Sequence, residues 1–276
     1  MGRSMHPPFP CPPPIADDVA LAERLADAAW AAIEPHFRNG TAVDNKAEGG
    51  FDPVTAADRD GELAIRDLLK AERPADAIWG EEFGIDGDRE GRCWLLDPVD
   101  GTRAFVAGLP SWTTLIALCD GLSPVIGVID QPCLGERYVG WPGGAAMRFR
   151  DGSVQTLKVS HCTDLRQAVL STTDPFIMTP AEQGAFTHLR ATAPITRYGL
   201  DAYGYARLAA GTIDMVTETG LQPYDMAALI PVVTGAGGLA CNWRGDPADI
   251  LQGQLACAAT RELLDHALVA LRRSAD

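Results

Sequence analysis

The chain has 276 residues, 46% of them apolar and 22% charged, enough to bury a sizeable core in one body or two closely packed subdomains. A formal charge of -14, with no basic cluster interleaved with aromatics, argues against nucleic-acid binding, and no uniformly apolar run is long enough to cross a bilayer. The seven cysteines (Cys11, Cys93, Cys119, Cys133, Cys162, Cys241 and Cys257) are odd in number and form no C-x-x-C pair, so reduced thiols in a cytoplasmic protein are expected.

Residues 1–14 include Pro7, Pro8, Pro10, Pro12, Pro13 and Pro14; they lack the apolar core of a secretory signal and read as a disordered leader. Val19, Leu21, Leu25, Ala29, Ala32 and Ile33 recur at helical spacing, which predicts an amphipathic helix over 15–36, ended by Pro35 and Gly40. Residues 41–53, with Asp44, Lys46, Glu48, Gly49 and Gly50, read as a mobile loop running into a helix over 56–70 that is capped around Thr55. Two β-like runs follow, 75–80 and 93–96, with a polar turn over 84–91 between them. Each run ends in acid: Glu81 and Glu82 after the first, Asp97 and Asp100 after the second.

Segments 112–119, 125–130 and 136–141 carry the Gly and Pro punctuation of an antiparallel meander. A subdomain boundary is expected within 151–162, dividing 15–155 from 156–276. In the second part, strand-like runs over 168–171, 213–218 and 255–258 alternate with helical patterns over 180–190, 203–210, 225–236 and 261–272. That alternation points to layered α/β packing.

The run Asp97-Pro98-Val99-Asp100-Gly101-Thr102 sets two carboxylates close together at a strand end, and such a pair needs a compensating cation or a shared proton. A hard divalent ion such as Mg2+, which keeps waters and substrate phosphate in its shell, is the simplest partner. Thr102 is expected to open a short helix whose N–H groups make a seat for a phosphate. Any one of these residues could simply cap a strand-to-helix turn, but the whole hexapeptide favours ligand binding. Glu81 can join Asp97 if the two strands are neighbours. Asp225, after Gln222-Pro223-Tyr224, is either a helix cap or a further ligand.

Gly80-Glu81-Glu82, the 94–102 run, Pro223-Tyr224-Asp225 with the glycine-rich 235–238, and Asp52-Pro53-Val54-Thr55-Ala56-Ala57-Asp58 together resemble the inositol monophosphatase family of Mg2+-dependent phosphatases, from about Val43 to the C-terminus. The resemblance implies an α-β-α-β-α layered sandwich (an α+β, inositol monophosphatase/fructose-1,6-bisphosphatase-like fold) and a homodimer. It also implies that Glu81, Asp97, the Val99 carbonyl, Asp100 and Asp225 hold two or three Mg2+ ions. Glu81, Asp58 and Thr102 would then be catalytic, the last two orienting or activating the attacking water. The family's loop lysine would fall near Lys46.

Within the family the chain is most similar to the histidinol-phosphate phosphatases, through residues 100–105, 129–132, 135–137 and 198–203. The resemblance places Gly101, Thr102, Arg103, Asp201 and Glu218 against the substrate. Two extra carboxylates suit the amine and imidazole of L-histidinol phosphate better than a neutral polyol. Alternative substrates are inositol 1-phosphate, 3'-phosphoadenosine 5'-phosphate and fructose 1,6-bisphosphate, and a catalytically silent binding protein is the reading from another class. None of His6, His36, His161, His188 and His266 falls in a matched motif, so no catalytic work is assigned to histidine.

Overall fold

The computed structural model describes residues 8–40, 43–45 and 53–275; the expectations about Lys46, Glu48, Gly49 and Gly50 lie outside them. Helix α1 (Pro13–Ile33) opens with proline, whose missing N–H is no loss in a first turn. Phe9 is buried, with the Arg148 guanidinium 4.5 Å from its ring centre. The leader expected over 1–14 is therefore too long, because Phe9 is already buried and α1 begins at Pro13.

Short strands β1 (Val43–Asn45) and β2 (Pro53–Thr55) pair antiparallel and lead into α2 (Ala56–Glu72). Next come β3 (Ala77–Gly80), β4 (Gly84–Asp86) and β5 (Arg92–Asp100), then the short helix α3 (Thr102–Val106). The meander is β6 (Thr113–Asp120), β7 (Ser123–Gln131), β8 (Glu136–Trp141), β9 (Gly144–Phe149) and β10 (Val154–Thr156). The remaining elements are β11 (Val169–Ser171), α4 (Pro180–Thr192), β12 (Ile195–Arg197), α5 (Ala202–Ala209), β13 (Met215–Glu218), α6 (Pro223–Gly235), β14 (Leu239–Cys241), β15 (Leu255–Ala258) and α7 (Arg261–Leu271).

One sheet runs β10-β9-β8-β7-β6-β5-β3-β4 and a second runs β12-β11-β13-β15-β14. Three apolar cores separate five layers. The first joins α1 and α2 to one face of the large sheet through Leu25, Ile65, Trp94 and Ile116. The second fills the space between the sheets, where Leu95 and Tyr138 meet α5 and α6 and the inner face of the small sheet. The third lies under α4 and α7, around Phe186, Trp243 and Leu264. This is the α-β-α-β-α sandwich that the resemblance implies. Helix α6 approaches the large sheet so closely that a Cβ on Gly140 would overlap the Pro231 carbonyl.

Two sequence readings change. The turn over 84–91 contains an edge strand, β4, antiparallel to β3. The run over 93–96 is the middle of a nine-residue strand that carries Asp97 and Asp100 within it, with a register irregularity between them. All seven cysteines are free. Cys93 and Cys119 face one another across β5 and β6, and burial pushes their thiols up to about 11 and about 12, so they act as small apolar side chains. Among the described residues no helix is long and apolar enough to cross a membrane.

Candidate active site

Strands β3 and β5 are parallel, with Gly80 opposite Leu96. The residues just past that pair, Glu81 directly after β3 and Asp97 still within β5, therefore lie side by side, and the Glu81 N–H continues the ladder to the Leu96 carbonyl at 3.1 Å. In the second sheet β11 and β13 are also parallel, so Thr172, Thr173 and Asp174 emerge beside Glu218. The ends of these four strands and the N-terminus of α6 surround a cavity of about 270 Å³.

Glu81, Asp97, Val99, Asp100, Gly101, Thr102, Arg103, Asp201, Glu218 and Asp225 all line that cavity. Asp58 lies one layer behind, within reach through Thr102. Asp97 closes a tight turn by accepting from the Val99 N–H at 3.1 Å. Asp100 accepts from the Thr113 hydroxyl at 3.2 Å and from the Ala202 N–H at 2.8 Å. The preceding Asp201 has φ 49°, an uncommon backbone state of the kind that surrounding structure must hold in place. Gly101, at φ 81°, turns the chain from β5 into α3, and its missing side chain leaves room for the Asp201 carboxyl.

Asp58 is buried at the start of α2, where its Oδ2 accepts from the Thr55 N–H (2.8 Å) and hydroxyl (2.6 Å) in a capping box. Its other oxygen faces the Thr102 hydroxyl at 3.4 Å, and that hydroxyl also reaches the Val99 carbonyl at 3.1 Å. Asp225 caps α6 and also lines the cavity. Its Oδ2 accepts from the Gln222 N–H at 2.7 Å as the third helical residue of a capping box, and its charge acts on both Asp97 and Asp100. The phosphate seat expected at α3 is modest, because a five-residue helix carries little dipole.

The electrostatics are one-sided. Burial, then Glu81, Asp100, Asp225 and Asp58, hold the Asp97 carboxyl well above the usual range. Burial, then Asp201 and Asp225, do the same to Asp100. Burial raises Asp201 to about 6 against the opposing pull of Arg103. Glu218 rises to about 8 through burial and the Asp201 and Asp225 charges, although it accepts from the Thr173 N–H and hydroxyl at 2.8 and 2.6 Å. Arg103 is the one Lys, Arg or His among the described lining residues, and it pairs with Asp174 at 3.5 Å.

Such a set fits a hard divalent cation. The donors are all oxygen, and they burden one another until positive charge arrives. Among the described residues no three His, Cys, Asp or Glu side chains are drawn together at metal-holding distance. Asp174, Ile177, Met178 and Leu221 are among the cavity-wall residues that were missed in the sequence. Asp174 did carry a signal, since it comes shortly after a short apolar strand, as Glu81 does.

Fold and site together define a layered metal-phosphatase architecture of the inositol monophosphatase/fructose-1,6-bisphosphatase kind. The chain matches the inositol monophosphatase family over residues 16–276 and belongs to it. It is 39% identical to the bifunctional phosphatase IMPL2, chloroplastic, of Arabidopsis thaliana, over 82% of this chain and 64% of that protein. It thus spans just under two thirds of the plant relative's length. A histidinol-phosphatase of Streptomyces coelicolor is 38% identical over 85% of this chain and 90% of its own. A solved structure of an inositol monophosphatase from Zymomonas mobilis superposes with a TM-score of 0.82 at 40% identity, covering 94% of this chain and 98% of that one. Family membership supports hydrolase activity in general and dependence on a divalent metal.

Proposed function

We propose that this protein hydrolyses a small phosphate monoester with Mg2+, and that L-histidinol phosphate is the ester it takes. The observation that carries the substrate is the position of Asp201 and Glu218, which share one cavity with Asp97, Asp100 and Asp225. Carboxylates beyond those that would hold metal suit a ligand whose organic part is itself cationic. Glu218, raised to about 8, ionises more readily once such a cation arrives. The similarity to a histidinol-phosphatase supports the same reading.

In this scheme Glu81, Asp97, the Val99 carbonyl, Asp100 and Asp225 hold two or three Mg2+ ions. Bound magnesium would supply neutralisation of the phosphate charge and a more acidic water. Thr102 Oγ1, set between Asp58 and the Val99 carbonyl, receives a proton from a water entering the cavity and passes its own toward Asp58 Oδ1. Arg103 faces the phosphate side, and Asp201 with Glu218 faces the amine and imidazole.

Asp201→Asn keeps the size and shape of the side chain while removing the charge. It is expected to lower kcat/KM for histidinol phosphate roughly tenfold to a hundredfold, as loss of a hydrogen bond to a charged group does, and to leave the rate on inositol 1-phosphate nearly unchanged. An equal loss on both esters would sink Asp201 as a selectivity residue. The protein is also proposed to pair with a second copy in the cytoplasm. Phe176, Ile177 and Ile195 are 85%, 58% and 51% exposed, the first two on the loop after β11 and the third on the neighbouring edge strand β12. Light scattering should give the mass of a dimer, and a monomer at micromolar concentration contradicts the pairing.

A further inference from the structure

The catalytic carboxylate Glu81 stands on a turn of only three residues between β3 and β4, and α2 reaches across to hold that turn. Glu62, fully buried on α2, accepts from the Glu82 N–H at 2.7 Å through Oε2 and from the Phe83 N–H at 3.2 Å through Oε1. Arg66, one helical turn further on, donates to Glu62 Oε1 at 2.6 Å through Nε, and its Nη2 donates to the Gly84 carbonyl. With the Glu81 N–H bound to the Leu96 carbonyl, three successive N–H groups and the carbonyl that closes the turn are all fixed. Gly80 completes the fit, since a Cβ there would overlap the Glu62 carboxylate.

Helical spacing explains how one element does this. Asp58, Glu62 and Arg66 fall at i, i+4 and i+8, so they form a single row along α2. The first meets Thr102 and the second and third meet the turn that carries Glu81. An Arg and Glu as buried as these, with 7% and 0% of their side chains exposed, are costly to desolvate and weak as a source of stability alone. Directed at the backbone of a ligand-bearing turn, they give geometric precision instead.

We infer that the Glu62–Arg66 pair is a positioning device for the metal site, setting the direction of Glu81 toward Asp97 and thereby the affinity for the divalent ion. The inference rests on the metal-phosphatase reading of this site. Hydrogen-bond partners of this outer kind typically change metal affinity by about 10- to 100-fold when removed.

The test is direct Mn2+ binding, followed by the paramagnetic signal of the free ion, because Mn2+ accepts the same oxygen donors as Mg2+. The full chain is compared with Glu62→Gln and Gly80→Ala. Gly80→Ala removes no polar group and pushes the Glu62 carboxylate aside by its methyl, so it stands as the test even if Glu62→Gln fails to fold. Both variants are expected to bind Mn2+ about tenfold more weakly or worse. The Mg2+ concentration for half-maximal turnover should rise by the same factor, with much of kcat recovered at saturating Mg2+. A folded Gly80→Ala protein with unchanged Mn2+ affinity overturns the positioning role and leaves the phosphatase reading intact. Failure of the unaltered chain to bind Mn2+ overturns both.

Discussion

Asp97→Asn is expected to reduce Mg2+-dependent phosphate release by more than about a hundredfold, since removing a ligand itself should exceed the 10- to 100-fold cost of losing an outer partner. The fold should survive, because the amide oxygen of the new side chain can still accept from the Val99 N–H as the Asp97 carboxylate does. With chelator present the variant should melt no lower than the parent at pH 8. Burial and four neighbouring carboxylates raise Asp97, so a neutral amide relieves repulsion that a cation or a bound proton otherwise offsets. A variant that turns over at the parent rate would remove Asp97 from the metal site, and the site from the protein's chemistry.

The second large effect is on stability, and its sign is opposite to that of an ordinary salt-bridged carboxylate. Folding raises Asp201 to about 6 and Glu218 to about 8, with Asp97 and Asp100 also above the ordinary range. Each such group binds its proton more tightly in the folded chain than in the unfolded one. Its stabilising contribution is complete below about pH 4, where unfolded carboxyls titrate, and is lost as pH rises through the folded value. The chelated protein should therefore melt lower at pH 8 than at pH 5, by roughly 5 °C or more. Saturating Mg2+ should remove most of that difference by binding only the folded, ionised site. Thermal melts at pH 5, 6, 7 and 8, with and without chelator, decide it. A melting temperature that climbs with pH in chelator would mean the carboxylates are already compensated.

The site was legible where sequence and sheet geometry coincide. An apolar run followed by acid is a local signal, and because the two strands that carry it lie parallel, Glu81 and Asp97 come to line one cavity. The strands at Glu136–Trp141 and Leu255–Ala258 were readable because bulky apolar or small buried residues fill them between clear turns. Other strands were not. Both β4 and β12 are three-residue edge strands largely exposed on both faces, so no alternation marks them, and β9 contains Ala145 and Ala146, which favour helix as readily as strand. Long-range contacts carry no local mark at all. The bond from the Ala202 N–H to Asp100 and the reach of Glu62 to Glu82 join elements 102 and 20 residues apart, and only the packed layers bring them together. The leader was misjudged because prolines signal disorder by composition, whereas Pro13 and Pro14 here serve the first turn of α1.

The most direct test of the central claim is phosphate release from histidinol phosphate, inositol 1-phosphate, fructose 1,6-bisphosphate and 3'-phosphoadenosine 5'-phosphate, each with Mg2+ and with chelator. The expected result is release that needs Mg2+ and a kcat/KM that strongly favours histidinol phosphate. Preference for another ester would keep the carboxylate site and discard Asp201 and Glu218 as the source of selectivity, and no release from any of the four would contradict the phosphatase reading itself.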